Sequence, residues 1–286
     1  MTHYVVYDVF TDTPFGGNPL AIITDARGLD GAQMQKIARE FNFSESTFVL
    51  PPEDPAHTAH VRIFTPSQEI PFAGHPTVGT AIALRDLGRI DDHATLELGV
   101  GPIPVTVKDG AAEFATRVPL QTWHDPPAEV VAAAISAAPG VVSHANHGPV
   151  IASVGLPFAI AELTDRAALA AAAINIDAFR AFEPNWPTDY HFDLLVYVRD
   201  GQRIDARMFA PLDGIPEDPA TGSAAAALTA FLGWLDGRSQ HFEVSQGVDM
   251  GRPSLIRTSV EVENGTPVET RVAGNAVRVM EGRLTL

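Results

Sequence analysis

The stretch that decides the fold is IPFAGHPTVGTA, residues 70–81, because the chain restates it as IPEDPATGSAAA at residues 215–226. Working outward, RIFTPSQEIPFAGHPTVGTAIAL from Arg62 aligns with RMFAPLDGIPEDPATGSAAAAL from Arg207. Arg62, Phe64, Pro66, Ile70 and Pro71 fall on Arg207, Phe209, Pro211, Ile215 and Pro216 without a gap. Removing two residues then sets His75, Pro76, Gly79, Thr80 and Ala81 opposite Asp218, Pro219, Gly222, Ser223 and Ala224. Each copy reads as a strand, a loop rich in Pro and Gly, and a helix of small residues. The chain therefore reads as two related domains with a cleft between them. The first is expected over residues 1–120 and the second over 128–275, with the C-terminal strand 276–286 as a candidate to complete the first.

The flanking segments support that reading. HYVVYDVF is a first strand, and GGNPLAII is a glycine turn feeding a second. Met34, Ile37, Ala38 and Phe41 share one face at helical spacing, and NFSES, holding Glu45, ends that helix before the strand TFVL. VGTAIALRDLG is a short apolar helix with Gly88 as its stop. TWHDPPAEVV is proline-rich and polar, a linker pattern, and a helix is expected from Ala128 to Ala138. Strands and helices mix without regular βαβ alternation, which points to an α+β fold over a doubly wound sheet.

Composition narrows the class. The 286 residues are 45% hydrophobic and 19% charged, ample for a globular core. A net charge of −16 with no Lys/Arg cluster argues against a nucleic-acid partner. There is no cysteine, which removes disulfides, thiolate metal sites and thiol catalysis. MTHYVVYDVF lacks the pattern of a signal peptide, and GSAAAALTAFLGWL is too short and Ala-rich to span a bilayer. A soluble cytoplasmic protein without a membrane partner is the plain expectation.

The duplicated unit has chemical potential. A helix start exposes backbone N–H groups and roughly half a positive charge, which suits a small anion such as a substrate carboxylate. Gly222 lets the backbone approach closely, and Ser223 adds a hydroxyl. No Gly-Lys-Ser/Thr ending makes this a nucleotide-binding loop. Two readings stay open here. Asp218 before Pro219 has the look of a helix N-cap followed by proline at the first position, and Ser223 that of a helix-turn residue. His75 is an indifferent cap but exchanges protons near neutral pH, which favours a functional role. A serine-hydrolase reading is disfavoured, since no Gly-x-Ser-x-Gly elbow surrounds Ser223. HANH, residues 144–147, has i,i+3 histidines but no third ligand set by the sequence, so no metal is expected.

NFSESTFV, RIFTPSQEIPFAGHPTVGTA, GIPEDPATGSAA and QGVDMGRPS, in this order, resemble the phenazine-biosynthesis PhzF family across nearly the whole chain. The resemblance implies a diaminopimelate-epimerase-like fold of two pseudo-symmetric halves, each a curved, barrel-like mixed sheet wrapped around a central helix. Those helices would open at GHPTVG and DPATGS, so the two copies would form two walls of one site. It implies an isomerase without cofactor or metal, acting on trans-2,3-dihydro-3-hydroxyanthranilate on the way to phenazine antibiotics. It assigns the proton carrier to Glu45, with His75, Asp218 and Ser223 holding the substrate and assisting. Backbone groups at Gly74 and Gly222 would bind the carboxylate, and a homodimer is expected. Asn18 is a further candidate binding residue, and Phe43, His147 and Met208 are candidate pocket liners. In the surrounding sequence Glu45 would be an unremarkable exposed turn residue. As a carbon acid–base it would need a dry setting and a pKa raised towards the working pH. The epimerase relatives use two cysteines instead, so a chain without thiols is no diaminopimelate epimerase. A related isomerase or epimerase on another small cyclic or amino-acid-like carboxylate, and a silent metabolite- or partner-binding member, are the alternatives.

Overall fold

A computed structural model describes residues 2–123, 126–188 and 190–285. The chain divides into two compact units, Met1–Ala115 with Val272–Leu286, and Thr116–Arg271.

In the first unit β1 (Thr2–Val9) pairs antiparallel with β2 (Asn18–Ile23). Helix α1 (Gly31–Phe41) follows. Its start is fixed by a reciprocal cap, in which Asp30 Oδ1 accepts from Gln33 N–H at 2.8 Å and Gln33 Oε1 from Asp30 N–H at 2.9 Å. Its apolar face of Met34, Ile37 and Ala38 is buried against Ile23, Phe48 and Phe64. The chain returns as β3 (Glu45–Leu50), parallel to β2, and β4 (Ala59–Phe64) lies antiparallel to β3. The two-residue β5 (Glu69–Ile70) folds back on β4. Helix α2 (Gly74–Asp86) then leads to β6 (His93–Leu98), parallel to β4, and to the antiparallel β7 (Gly101–Lys108) and β8 (Ala111–Thr116). The chain's last strand, Thr266–Leu284, pairs with β1 and with β8, which closes eight strands into a barrel.

Helix α2 fills that barrel. Every residue from Gly74 to Leu84 is buried, as expected of a helix apolar on all sides. Gly79 permits its closest approach, since a Cβ there would stand 2.6 Å from Val9 Cγ2 and 2.7 Å from Leu20 Cδ2. Thr80 and Thr47 of β3 satisfy each other's buried hydroxyls at 3.0 Å.

The second unit contains β9 (Gln121–Trp123), α3 (Ala128–Ala134), β10 (Val150–Ser153) and β11 (Pro157–Glu162). Helices α4 (Arg166–Ala171) and α5 (Ile176–Phe182) precede β12 (Leu194–Asp200), β13 (Arg203–Ala210) and β14 (Ile215–Asp218). Then come α6 (Gly222–Asp236), β15 (Gln240–Gln246), β16 (Ser254–Glu263) and the last strand, β17. The pairings repeat those of the first unit strand for strand. β10–β11 is antiparallel, β11–β12 parallel, β12–β13 antiparallel, β13–β15 parallel and β15–β16 antiparallel, with the short β14 folded on β13. Helix α6 is the counterpart of α2, buried from Ala224 to Gly233 and joined to β16 by a Thr229–Thr258 hydroxyl pair at 2.6 Å. The fold is thus α+β, two pseudo-symmetric halves each wrapped around a central helix.

The aligned Arg-x-Phe of each copy has a structural reason. Arg62 grips Glu69 with both arms, Nε–Oε1 at 2.7 Å and Nη2–Oε2 at 2.6 Å, and lies over the Phe64 ring. Arg207 grips Glu217 the same way, both arms at 2.8 Å, over Phe209.

Four sequence expectations change. Gly222 follows Gly74 by 148 residues while Arg207 follows Arg62 by 145, so the second loop is three residues longer. The helix starts therefore pair His75 with Ser223, not with Asp218. Asp218 ends β14, and Thr221 holds the N-cap position of α6, so Asp218 is not the cap that the following proline signalled. Glu45 is the first residue of β3 and not a turn residue. Helix α3 stops at Ala134 because Ser136 takes a left-handed φ of 56°. Of the expected linker, Trp123 belongs to β9, and His124 and Asp125 lie outside the described residues. Among the described residues no helix is long and apolar enough to cross a membrane.

Candidate active site

In the first unit the site residues meet at the start of α2. Glu45 reaches it from β3, and its Oε2 lies 3.3 Å from His75 Nδ1, with side chains 14% and 3% exposed. Burial pulls the His75 pKa down to about 3, against a smaller upward pull from a hydrogen bond to the Pro19 carbonyl. The ring is therefore neutral at physiological pH, and the contact with Glu45 is not an ion pair. A neutral imidazole has one N–H; with that given to Pro19, the other nitrogen is an acceptor. Asn18, fully buried, precedes Pro19 at the head of β2 and so sits beside this pair.

Neither central helix is capped. Ala73 before α2 and Thr221 before α6 make no side-chain bond to the first turn. Among the described residues nothing accepts from the N–H groups of Gly74 and His75, or of Gly222 and Ser223. A buried helix start with free donors is an anion site in waiting. Proline at the third position of α2, Pro76, leaves only two donors there.

In the second unit Asp218 is buried and accepts from Thr221 Oγ1 at 2.5 Å. Gln246, fully buried at the end of β15, ties this loop together. Its Nε2 donates to the Asp218 carbonyl at 2.8 Å and to Thr221 Oγ1 at 3.1 Å, and its Oε1 accepts from Thr221 N–H at 3.3 Å. Gly247 follows at φ 74°, where a Cβ would stand 2.7 Å from the Pro219 carbonyl oxygen. The QG of the fourth sequence block is thus the support of the Asp218 loop. Nothing local in that block of sequence signals this supporting role. Sequence reasoning also missed Asp193, whose carboxyl is pushed well above the usual range by burial, then by the charge of Asp213 and more weakly by Glu183 and Asp218.

The remaining candidates separate from this machinery or stay at its margin. Met208 faces Asp218 across the β13–β14 register. Phe43 packs on Phe41 at 5.8 Å. His147 bonds the Tyr197 hydroxyl through Nε2 at 2.6 Å and meets Phe231 of α6 edge-on, a packing role within its unit. Among the described residues no three His, Asp or Glu side chains converge as a metal site.

The two halves are each built on an uncapped central helix, and the first carries the Glu45–His75 contact at its helix start. A family model described as phenazine biosynthesis-like protein matches residues 7–282. An uncharacterized isomerase of Mesorhizobium japonicum is 40% identical over 99% of this chain and 98% of its own. The trans-2,3-dihydro-3-hydroxyanthranilate isomerase of Pseudomonas fluorescens is 38% identical over the full length of both. The crystal structure of a PhzF-family phenazine biosynthesis protein of Bacillus anthracis superposes with a TM-score of 0.87 at 25% identity, covering 100% of this chain and 99% of that one. The chain belongs to the PhzF family, and it is an isomerase.

Proposed function

We propose that this protein moves a proton between carbons of a small cyclic carboxylate, with trans-2,3-dihydro-3-hydroxyanthranilate as the substrate to be tested first. The observation that carries the reading is the Glu45–His75 pair at the uncapped start of α2. Glu45 is the proton carrier. Its carboxylate takes a proton from one carbon, is neutral while the substrate carries the charge, and returns the proton to another carbon. One base that both takes and gives needs no second thiol or carboxylate, so the cysteine-free sequence is chemically sufficient. His75, held neutral by burial, lies beside Glu45 without placing a permanent cation there, so Glu45 remains the group that exchanges the proton. In the first unit the orphan backbone donors at Gly74 hold the anionic end of the substrate, and Asn18 adds a binding contact. In the second unit the donors at Gly222, with Asp218 and Ser223, are the counterpart binding groups.

A second substrate, another small amino-acid-like carboxylate, is favoured by one comparison: a relative 40% identical is described only as an isomerase. Incubating the purified protein with trans-2,3-dihydro-3-hydroxyanthranilate decides between the two. Loss of the substrate's absorbance with isomer formation supports the named reaction. No turnover there, with proton exchange on a panel of cyclic amino acids, supports the second.

A further inference from the structure

Away from this machinery, the first unit carries a groove of about 970 Å³ formed by the start of β1, the segment after β2, the end of α2 and the last residues of β17. Its composition is out of keeping with the chain. The protein holds 35 acidic residues against 19 Lys and Arg, yet among the described residues four arginines, Arg27, Arg89, Arg278 and Arg283, line this one groove with two side-chain carboxylates, Asp25 and Glu281. Both carboxylates are engaged in exposed pairs, Asp25 with Arg27 at 2.6 Å and Glu281 with Arg278 at 3.3 Å. Such pairs contribute little to stability and give way readily to a stronger anion.

Arg89 makes the groove a prepared one. It donates through Nη1 to the Thr24 carbonyl, which fixes the guanidinium, and its charge also acts on the Asp25 carboxylate of the same groove. It also lines a second cavity of about 240 Å³. Guanidinium forks match phosphoryl oxygens two at a time, and a fixed fork loses less freedom on binding than a mobile lysine. Four such groups exceed what a single carboxylate can use, and fit a ligand with two or more negative charges. Tyr4 and the exposed Leu87 add an apolar wall that an organic substituent can cover.

We propose that this groove is a second ligand site, for a small phosphorylated metabolite, gripped by Arg89 with Arg27, Arg278 and Arg283. It is independent of the isomerase reading, since none of these residues touches Glu45 or His75 in the contacts described. The test is calorimetric titration of the full chain with pyrophosphate and with ADP at low ionic strength. The proposal expects saturable binding of one equivalent. Affinity should fall at least tenfold in Arg89→Ala/Arg278→Ala and stay unchanged in Arg180→Ala, an exposed arginine of the second unit. Because Arg89 also anchors Thr24, Arg283→Ala is titrated in parallel and should weaken binding severalfold with the backbone anchor intact. Absence of saturable binding for both probes, or equal affinity in wild type and the double variant, overturns the proposal.

Discussion

Glu45, the first residue of β3, and His75, in the first turn of α2, come within 3.3 Å of each other, and the imidazole at that contact is neutral. A buried carboxyl beside a neutral ring differs from a salt bridge in what it can do. The ring brings no fixed positive charge to the contact, and the proton-carrying role falls to Glu45 in the reaction proposed above.

The neutral ring gives a first expectation, with a definite sign. The folded His75 pKa of about 3 lies below the unfolded value near 6.5. Below pH 6.5 the unfolded state therefore binds a proton that the folded state refuses. Stability is lost as pH falls from 6.5 towards 3, by about 1.4 kcal/mol per pH unit. His75→Asn removes this slope while other groups keep theirs. Urea midpoints at pH 7 and pH 5 should fall more for wild type than for the variant. In wild type the His75 imidazole NMR signal should stay flat between these pH values.

Gly79 tests how closely the central helix is pressed into its barrel. Gly79→Ala gains helix propensity but drives a methyl into Val9 and Leu20. The steric cost should win, with a net loss of about 1–3 kcal/mol in denaturant unfolding.

The two arginine grips should not respond alike. Arg207 is 10% exposed at its side chain and also donates to the carbonyls of Leu169, Ala170 and Ala172. Arg207→Ala leaves Glu217 and those carbonyls without it, for a loss of about 3–5 kcal/mol. Arg62 faces a Glu69 that is 42% exposed, and Arg62→Ala should cost clearly less. Equal losses in thermal unfolding would contradict the burial argument.

Gln246 supports Asp218 without being able to exchange protons itself. Gln246→Ala should lower kcat/KM by roughly one to two orders of magnitude, as expected for lost positioning. Gln246→Glu keeps the shape but replaces two donors with acceptors, and should not rescue it. Steady-state kinetics with circular dichroism as a fold control measures both.

The sequence carried the duplication because the Arg-x-Phe pair and the loop before each helix are tied to structural jobs that both units share. It carried the α+β class because the apolar spacing of α1 and the small residues of α2 and α6 are local signals. The loop register was not legible. Three extra residues in the second copy leave the Pro and Gly landmarks in place while moving Asp218 off the helix, so similarity alone paired it with His75. Glu45 looked like an exposed turn residue because the His75 it meets lies thirty residues further on, at the start of α2. Gln246, Asp193 and the arginine groove were invisible for the same reason: each is assembled from segments far apart in sequence.

The measurement that bears most directly on the central claim is proton NMR in deuterated water. Wild type and Glu45→Gln are each given trans-2,3-dihydro-3-hydroxyanthranilate, with calorimetry reporting substrate binding. The account predicts isomerisation by wild type with deuterium entering a ring carbon. It predicts at least a thousandfold slower turnover by Glu45→Gln, with binding largely kept. A Glu45→Gln variant that isomerises and exchanges at the wild-type rate would contradict Glu45 as the proton carrier.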